Sequence, residues 1–304
     1  MEKSRISCRR RQYCGVVIMV FEKVNSPSCV LGENPVWYKS TSEFFWTDIL
    51  NGIIYAYSIR NKRWRTVIKT PYLIGAFLET NENGLVIFTE KGVFNARKSG
   101  SNFLPDKTPI WTVPFDKGER FNDAIADPYG AVISGSKRED NTNGKLYRFV
   151  YGKEPEILLT GLGITNGMGF SPDGKTFYHT DSLRSTITAY DYAPDLPLKN
   201  PRTVIRLDVN IDPDGMTVDS EGCLWTCCWG AGKIIRFSPE GILLDKFPVD
   251  AIQCSSLCFG GDSLQEIFVT SASIGSDGTS KLGGECFYAR SSYCGKPEYL
   301  ANIP

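Results

Sequence analysis

Asn166-Gly167-Met168-Gly169-Phe170-Ser171-Pro172-Asp173-Gly174-Lys175-Thr176-Phe177-Tyr178-His179-Thr180 runs from a polar residue through a short apolar segment and a tight turn into a β-rich strand. The same order recurs on both sides of it. Asn122 precedes Gly130, Asn166 precedes Gly174 and Asp214 precedes Gly222, eight positions each time (130−122, 174−166, 222−214). The intervening segments end in Asp-Pro-Tyr-Gly, Ser-Pro-Asp-Gly and Asp-Ser-Glu-Gly, each reading as a strand that enters a turn. The three copies lie 44 and 48 residues apart (166−122, 214−166). The chain therefore repeats one structural unit and carries an amide or a carboxylate at its equivalent point.

Outward from this stretch, helical periodicity is nearly absent. β-rich runs recur at residues 44–48, 86–89, 131–134, 176–180, 223–226 and 267–270. Their central residues 46, 88, 133, 178, 225 and 268 are separated by 42, 45, 45, 47 and 43 positions. Six repeats of that length, each with room for four strands, predict an all-β fold, a six-bladed β-propeller formed as one domain by residues 19–304. Radial closure hides most sheet edges and leaves a central channel. The strand that follows each equivalent residue, such as residues 167–170, is expected innermost, with its first residue at the channel mouth. Residues 20–24 are placed to supply the outer strand that closes the last blade.

Composition agrees with a large core, apolar residues making up 41% and aromatics 12% of 304 residues. With 34 basic and 34 acidic residues and no long like-charge block, strong electrostatic binding to nucleic acid or an anionic membrane is not expected. Arg9-Arg10-Arg11 lies in an extension, residues 1–18, that has no repeat partner. The apolar run from Gly15 to Phe21 is short for a signal peptide, lacks a small-residue cleavage site and is interrupted by Glu22 and Lys23. It also falls far below the roughly 20 residues that span a bilayer. The extension reads as a dispensable leader on a cytoplasmic protein, with Met19 an alternative start. Ten cysteines without any Cys-x-x-Cys read as small buried hydrophobes in a reducing compartment rather than as zinc ligands.

The single histidine, His179, sits inside a strand run. A Ser-His-Asp triad would have to use it, and zinc sites built on two or more histidines are excluded. It reads as a packed strand residue. No phosphate-binding loop is present. What remains is oxygen chemistry. Asn166 and Asp214 come from neighbouring repeats, and Glu33, in Gly32-Glu33-Asn34-Pro35-Val36-Trp37, precedes the inner strand of the first repeat. Two carboxylates and an amide suit a hard divalent cation. A plain turn reading stays open as well, because Asn-Gly and Asp-Gly are common turn sequences.

Gly32-Glu33-Asn34-Pro35-Val36-Trp37, Arg120-Phe121-Asn122-Asp123, Ile164-Thr165-Asn166-Gly167-Met168, Tyr178-His179-Thr180-Asp181-Ser182 and Pro213-Asp214-Gly215-Met216 together resemble the SMP-30/gluconolactonase/regucalcin-like family, in the family's order and with similar gaps. The resemblance runs from about residue 21 to the C-terminus. It implies a six-bladed propeller with one divalent metal in the channel mouth and, in many members, hydrolysis of sugar lactones to aldonic acids. It also implies that Glu33, Asn166 and Asp214 are metal ligands, with Asp214 the general base as well. Arg120 and Asn122 match substrate-side positions, whereas the bland reading of Arg120 is a surface ion pair. Asp123 stays between a turn carboxylate and a site role.

The family's substrate-side acid falls near Glu139 or Asp140, and Asp140 is taken for that role. There Gly135-Ser136-Lys137-Arg138-Glu139-Asp140 departs from the family's Gly-Thr-Met pattern and puts Lys137 in an apolar position. That departure bears on substrate preference more than on chemistry. The expected cofactor is one divalent cation, Ca²⁺, Zn²⁺, Mn²⁺ or Mg²⁺, and the expected partner is a small sugar lactone. Two other classes would use the same site: a non-catalytic calcium-binding regulator, and a metal-dependent esterase or organophosphate hydrolase.

Overall fold

Six four-stranded antiparallel sheets, arranged as the blades of a β-propeller, hold all the strands of the computed structural model, which describes residues 19–208, 211–275 and 282–304. The extension 1–18 lies outside the described residues. Every β-rich run singled out in the sequence overlaps the second strand of its blade, two of them starting one residue early: Glu43–Asp48, Leu85–Thr89, Val132–Arg138, Thr176–Asp181, Leu224–Trp229 and Glu266–Ser271. Five blades are continuous in sequence. The sixth takes Cys254–Gly260, Glu266–Ser271 and Phe287–Arg290 from one end of the chain and Glu22–Lys23 from the other. Glu22 pairs with Tyr288 and Lys23 with Phe287, so the closing strand lies in the segment expected for it. Flanking it, Met19 and Phe21 pack into a buried cluster with Trp225 and Phe247.

Burial falls from the channel outward. The inner strand Thr165–Phe170 is buried at every position, whereas the outer strand Glu156–Leu162 has no fully buried residue. Six apolar clusters fill the six blade-to-blade interfaces, as when Phe44 and Trp46 of the first blade pack on Phe268 of the last. Aromatic side chains carry much of this, because each buries a large apolar area and adds ring-to-ring attraction. Close to the axis the blades converge, and there the chain uses glycine. A Cβ on Gly167 would lie 2.3 Å from Met216 N, and one on Gly215 would lie 2.1 Å from Ser256 Oγ.

The two ends of each inner strand differ. At the mouth, all six inner strands carry a one-residue register shift, for example between Glu33 and Val36, between Asn166 and Met168, and between Pro213 and Met216. Such bulges bend a strand and re-aim its side chains. At the far end the strands enter the repeated turns, where Gly130, Gly174 and Gly222 have φ of 91°, 71° and 85°. Those left-handed values require glycine, which explains the constant spacing seen in the sequence. Residues 291–304 then run along this far end, with Ser220 N donating to Cys294 O, Asn302 N to Gly130 O and Ala301 N to Glu79 O.

Candidate functional site

Glu33, Asn122, Asn166 and Asp214 lie in or beside these mouth bulges on four different blades, and all four are buried. They line one cavity of about 570 Å³, together with Arg120 and Lys137. The size is that of a small-molecule pocket.

A hydrogen-bond relay fixes the amides. Arg120 Nη1 donates to Phe121 O and to Asn122 Oδ1, both at 2.8 Å. Asn122 Nδ2 donates to Thr165 O at 2.9 Å and to Asn166 Oδ1 at 3.2 Å. Asn166 Nδ2 in turn donates to Ser182 Oγ at 3.1 Å, and the Ser182 hydroxyl donates to Pro213 O at 2.6 Å. With its nitrogen donating to Ser182 and its oxygen accepting from Asn122, the Asn166 amide is held in one orientation, and its oxygen keeps a second lone pair. Ser182 belongs to the short 3₁₀ turn Ser182–Arg184. Its role was missed because the signal is only a serine following Asp181 at a strand end.

The carboxylates are under strain of a different kind. Asp214 Oδ1 is buried and has no hydrogen-bond partner. Burial pushes Asp214 well above the usual carboxylate range, and Asp123 adds to the effect. Glu33 is pushed up likewise, by burial first and then by Asp214 and Asp123. Asp123 itself rises to about 6 through burial, against a stabilising bond from Ala124 N. Its coupling to both other acids puts Asp123 among the charges of the site, a point the sequence left open. Arg120 is lowered to about 10 by burial, with Glu33 opposing the change. Two acids and an amide, Glu33, Asp214 and Asn166, thus line one buried space, with Asp123 near enough to act on both acids, an oxygen donor set suited to a hard divalent cation.

The family model for the SMP-30/gluconolactonase/LRE-like region matches residues 31–273. The chain belongs to this family. Among its SMP-30-family relatives, a pentonolactonase of Haloferax volcanii is 29% identical over 94% of this chain and 99% of its own. Regucalcin of Gallus gallus is 32% identical over 84% of this chain and 88% of its own. A solved structure of luciferin-regenerating enzyme superposes with a TM-score of 0.87 at 26% identity, over 94% of this chain and all of that one.

Within this SMP-30-type propeller, not every residue picked from sequence joins the cavity. Asp140 does not line it; Glu139 and Asn141 do. The Asp140 carboxylate is turned outward to Arg138 Nε at 3.2 Å and to Thr142 N at 3.1 Å, which draws its pKa down to about 2. His179 is buried in its strand away from the cavity lining, as a packed residue. Eight cysteines fall in the described residues, and seven of them are buried. Asp219, Glu221 and Cys223 also bring three ligand-type atoms within 4.8 Å of one another, at the far-end turn. There Arg236 Nη2 pairs with Asp219 and Glu221 at 2.8 Å each, and Asp219 Oδ1 accepts from Glu221 N and Cys223 N. That group caps a turn. No helix among the described residues is long and apolar enough to cross a membrane.

Proposed function

We propose that this protein hydrolyses a sugar lactone in the mouth cavity, assisted by one divalent cation held by Glu33, Asn166 and Asp214. The observation that carries the reading is the buried, unpartnered Asp214 Oδ1, set in a crowd of acids that burial disfavours. An orphaned buried acceptor costs about 1–3 kcal/mol, more if charged, so its persistence points to a cationic partner. The pentonolactonase relative supports the choice of substrate class. Buried free thiols fit a reducing, cytoplasmic setting.

When bound, Ca²⁺, Mg²⁺, Mn²⁺ or Zn²⁺ would polarise the lactone carbonyl and lower the pKa of an adjacent water. Asp214 accepts the proton of the attacking water as general base. Arg120, with Nη1 spent on Phe121 O and Asn122 Oδ1, turns its remaining donors to the sugar hydroxyls or the developing oxyanion. Asn122 positions rather than reacts, since both its amide hydrogens are committed.

The test is a panel of sugar lactones offered to chelator-treated protein, with and without each divalent cation. Hydrolysis restored by added cation is expected. Failure to hydrolyse any sugar lactone with any of these cations, or full activity in chelator, would sink the reading.

A further inference from the structure

Arg120 and Lys137 face each other directly across the antiparallel ladder of the third blade, between Glu119–Ala126 and Val132–Arg138. Directly paired residues project from the same face of a sheet, and like charges so placed are destabilising. Both side chains line the mouth cavity. Burial and the neighbouring Arg120 hold the Lys137 ammonium below its ordinary pKa, against an opposing pull from Asp214.

The protein does not relieve this pairing. Among the described residues neither cation forms an ion pair, and Lys137 has no hydrogen-bond acceptor. The acids of this blade edge are committed to other cations. Asp140 and Asp116 each hold Arg138 at 3.2 Å, and Glu119 holds Lys145 at 3.1 Å. Glu90, Glu139 and Asp212 also line the cavity, and none of them pairs with Arg120 or Lys137. Glu33 and Asp214 act on these two cations across the cavity without contacting them. Two adjacent, partly buried cations with no carboxylate in ion-pair contact, opening on a ligand cavity, can receive an anion.

We propose that the Arg120–Lys137 pair is an anion subsite, and that the preferred substrates are sugar lactones bearing a second, anionic group, a carboxylate or a phosphate ester, remote from the ring ester. This rests on the lactonase reading and narrows it. A neutral lactone leaves the two cations facing each other, whereas an anionic group is drawn to both. Lys137 is then a specificity-determining residue.

The experiment compares kcat/KM of the cation-loaded wild type, Lys137→Met and Lys137→Arg for three probes: gluconolactone, glucarolactone, and gluconolactone phosphorylated at its terminal carbon. The wild type should favour one anionic probe over gluconolactone, and the favoured arm tells carboxylate from phosphate. Lys137→Met should reduce that preference by about ten- to hundred-fold, the worth of one charged hydrogen bond, and Lys137→Arg should keep it. Since Lys137→Met removes a like-charge contact, its melting temperature should not fall. A wild type that prefers gluconolactone to both anionic probes, or a preference unmoved in Lys137→Met, overturns the proposal. A readout independent of turnover is binding of inorganic phosphate to chelator-treated protein. Binding weakened about tenfold in Lys137→Met supports the subsite even if no lactone is hydrolysed, which would sink the lactonase reading alone. Equal phosphate binding by both proteins removes the subsite.

Discussion

Asn122 and Asn166, 44 positions apart in the chain, are joined by a 3.2 Å hydrogen bond from Nδ2 to Oδ1 across the boundary of the third and fourth blades. The bond makes a residue expected on the substrate side into a support for a proposed metal ligand. Groups that orient ligands typically matter ten- to hundred-fold to metal affinity. Asn122→Ala should therefore weaken divalent-cation binding by about tenfold or more, beyond any loss of turnover. Calorimetric titration of metal-free protein checks this. Unchanged cation affinity would mean that Asn166 needs no such support.

Asp214 combines function with instability. Its unpartnered oxygen and raised pKa mean that the charged form costs folding free energy when no cation is bound. Asp214→Asn should raise the melting temperature of the metal-free protein, by about 2–4 °C for each kcal/mol relieved. The same change should nearly abolish hydrolysis while retaining more cation binding than Asp214→Ala. A lower melting temperature of Asp214→Asn in chelator would show that the carboxylate is a structural acceptor.

His179 supplies a pH dependence separate from the site. Burial holds its pKa down to about 4 from 6.5, more than the nearby Asp181 raises it, and Arg184 adds to the lowering. Between those values the unfolded chain takes up a proton that the fold refuses, so stability falls as pH drops through the window. The loss attributable to His179 is about 2 kcal/mol between pH 7 and pH 5. Comparing urea unfolding of the wild type and His179→Gln at the two pH values should show a shallower acid loss in the variant. Identical slopes would mean that the ring finds a partner in its charged form.

The contacts that fix the mouth are testable through its glycines. A Cβ at Gly167 meets Met216 N at 2.3 Å and Asp214 O at 2.6 Å, backbone atoms that cannot swing aside. Gly167→Ala should destabilise the fold by about 1–3 kcal/mol, as overpacking does, and should weaken cation binding by displacing the strand that carries Asp214. Wild-type stability would show that the two inner strands can part without cost.

The six blades were legible because turn glycines and β-rich runs return at a nearly constant interval, and closure leaves few other arrangements for them. Glu33, Asn166 and Asp214 came from that spacing together with the family resemblance, and they do open on one cavity. What spacing could not convey is register. The choice between Glu139 and Asp140, adjacent in sequence, turns on how the strand Val132–Arg138 leaves its ladder, and Arg138 draws Asp140 outward. The opposition of Arg120 and Lys137 likewise depends on a one-residue bulge between Phe121 and Ala124 that no periodicity reveals. Ser182 acts through a three-residue turn whose sequence resembles any strand end.

The boundary of the fold at its N-terminal side can be tested by truncation. Met19 and Phe21 are buried against Trp225 and Phe247, and Glu22 and Lys23 complete the last blade. Residues 1–18 share none of the repeat pattern, so a chain beginning at Met19 should keep both its melting temperature and its activity. A chain beginning at Val24 should not, because it lacks the closing strand and two buried side chains. Loss of the Phe21 side chain alone, in Phe21→Ala, should cost about 3–5 kcal/mol. Removing the strand also bares the edge of Phe287–Arg290, which invites association between copies. Thermal melts and size-exclusion chromatography of the three chains separate these outcomes. If the Met19 chain melts well below the full-length protein, residues 1–18 contribute to the closing blade, and the domain begins earlier than residue 19.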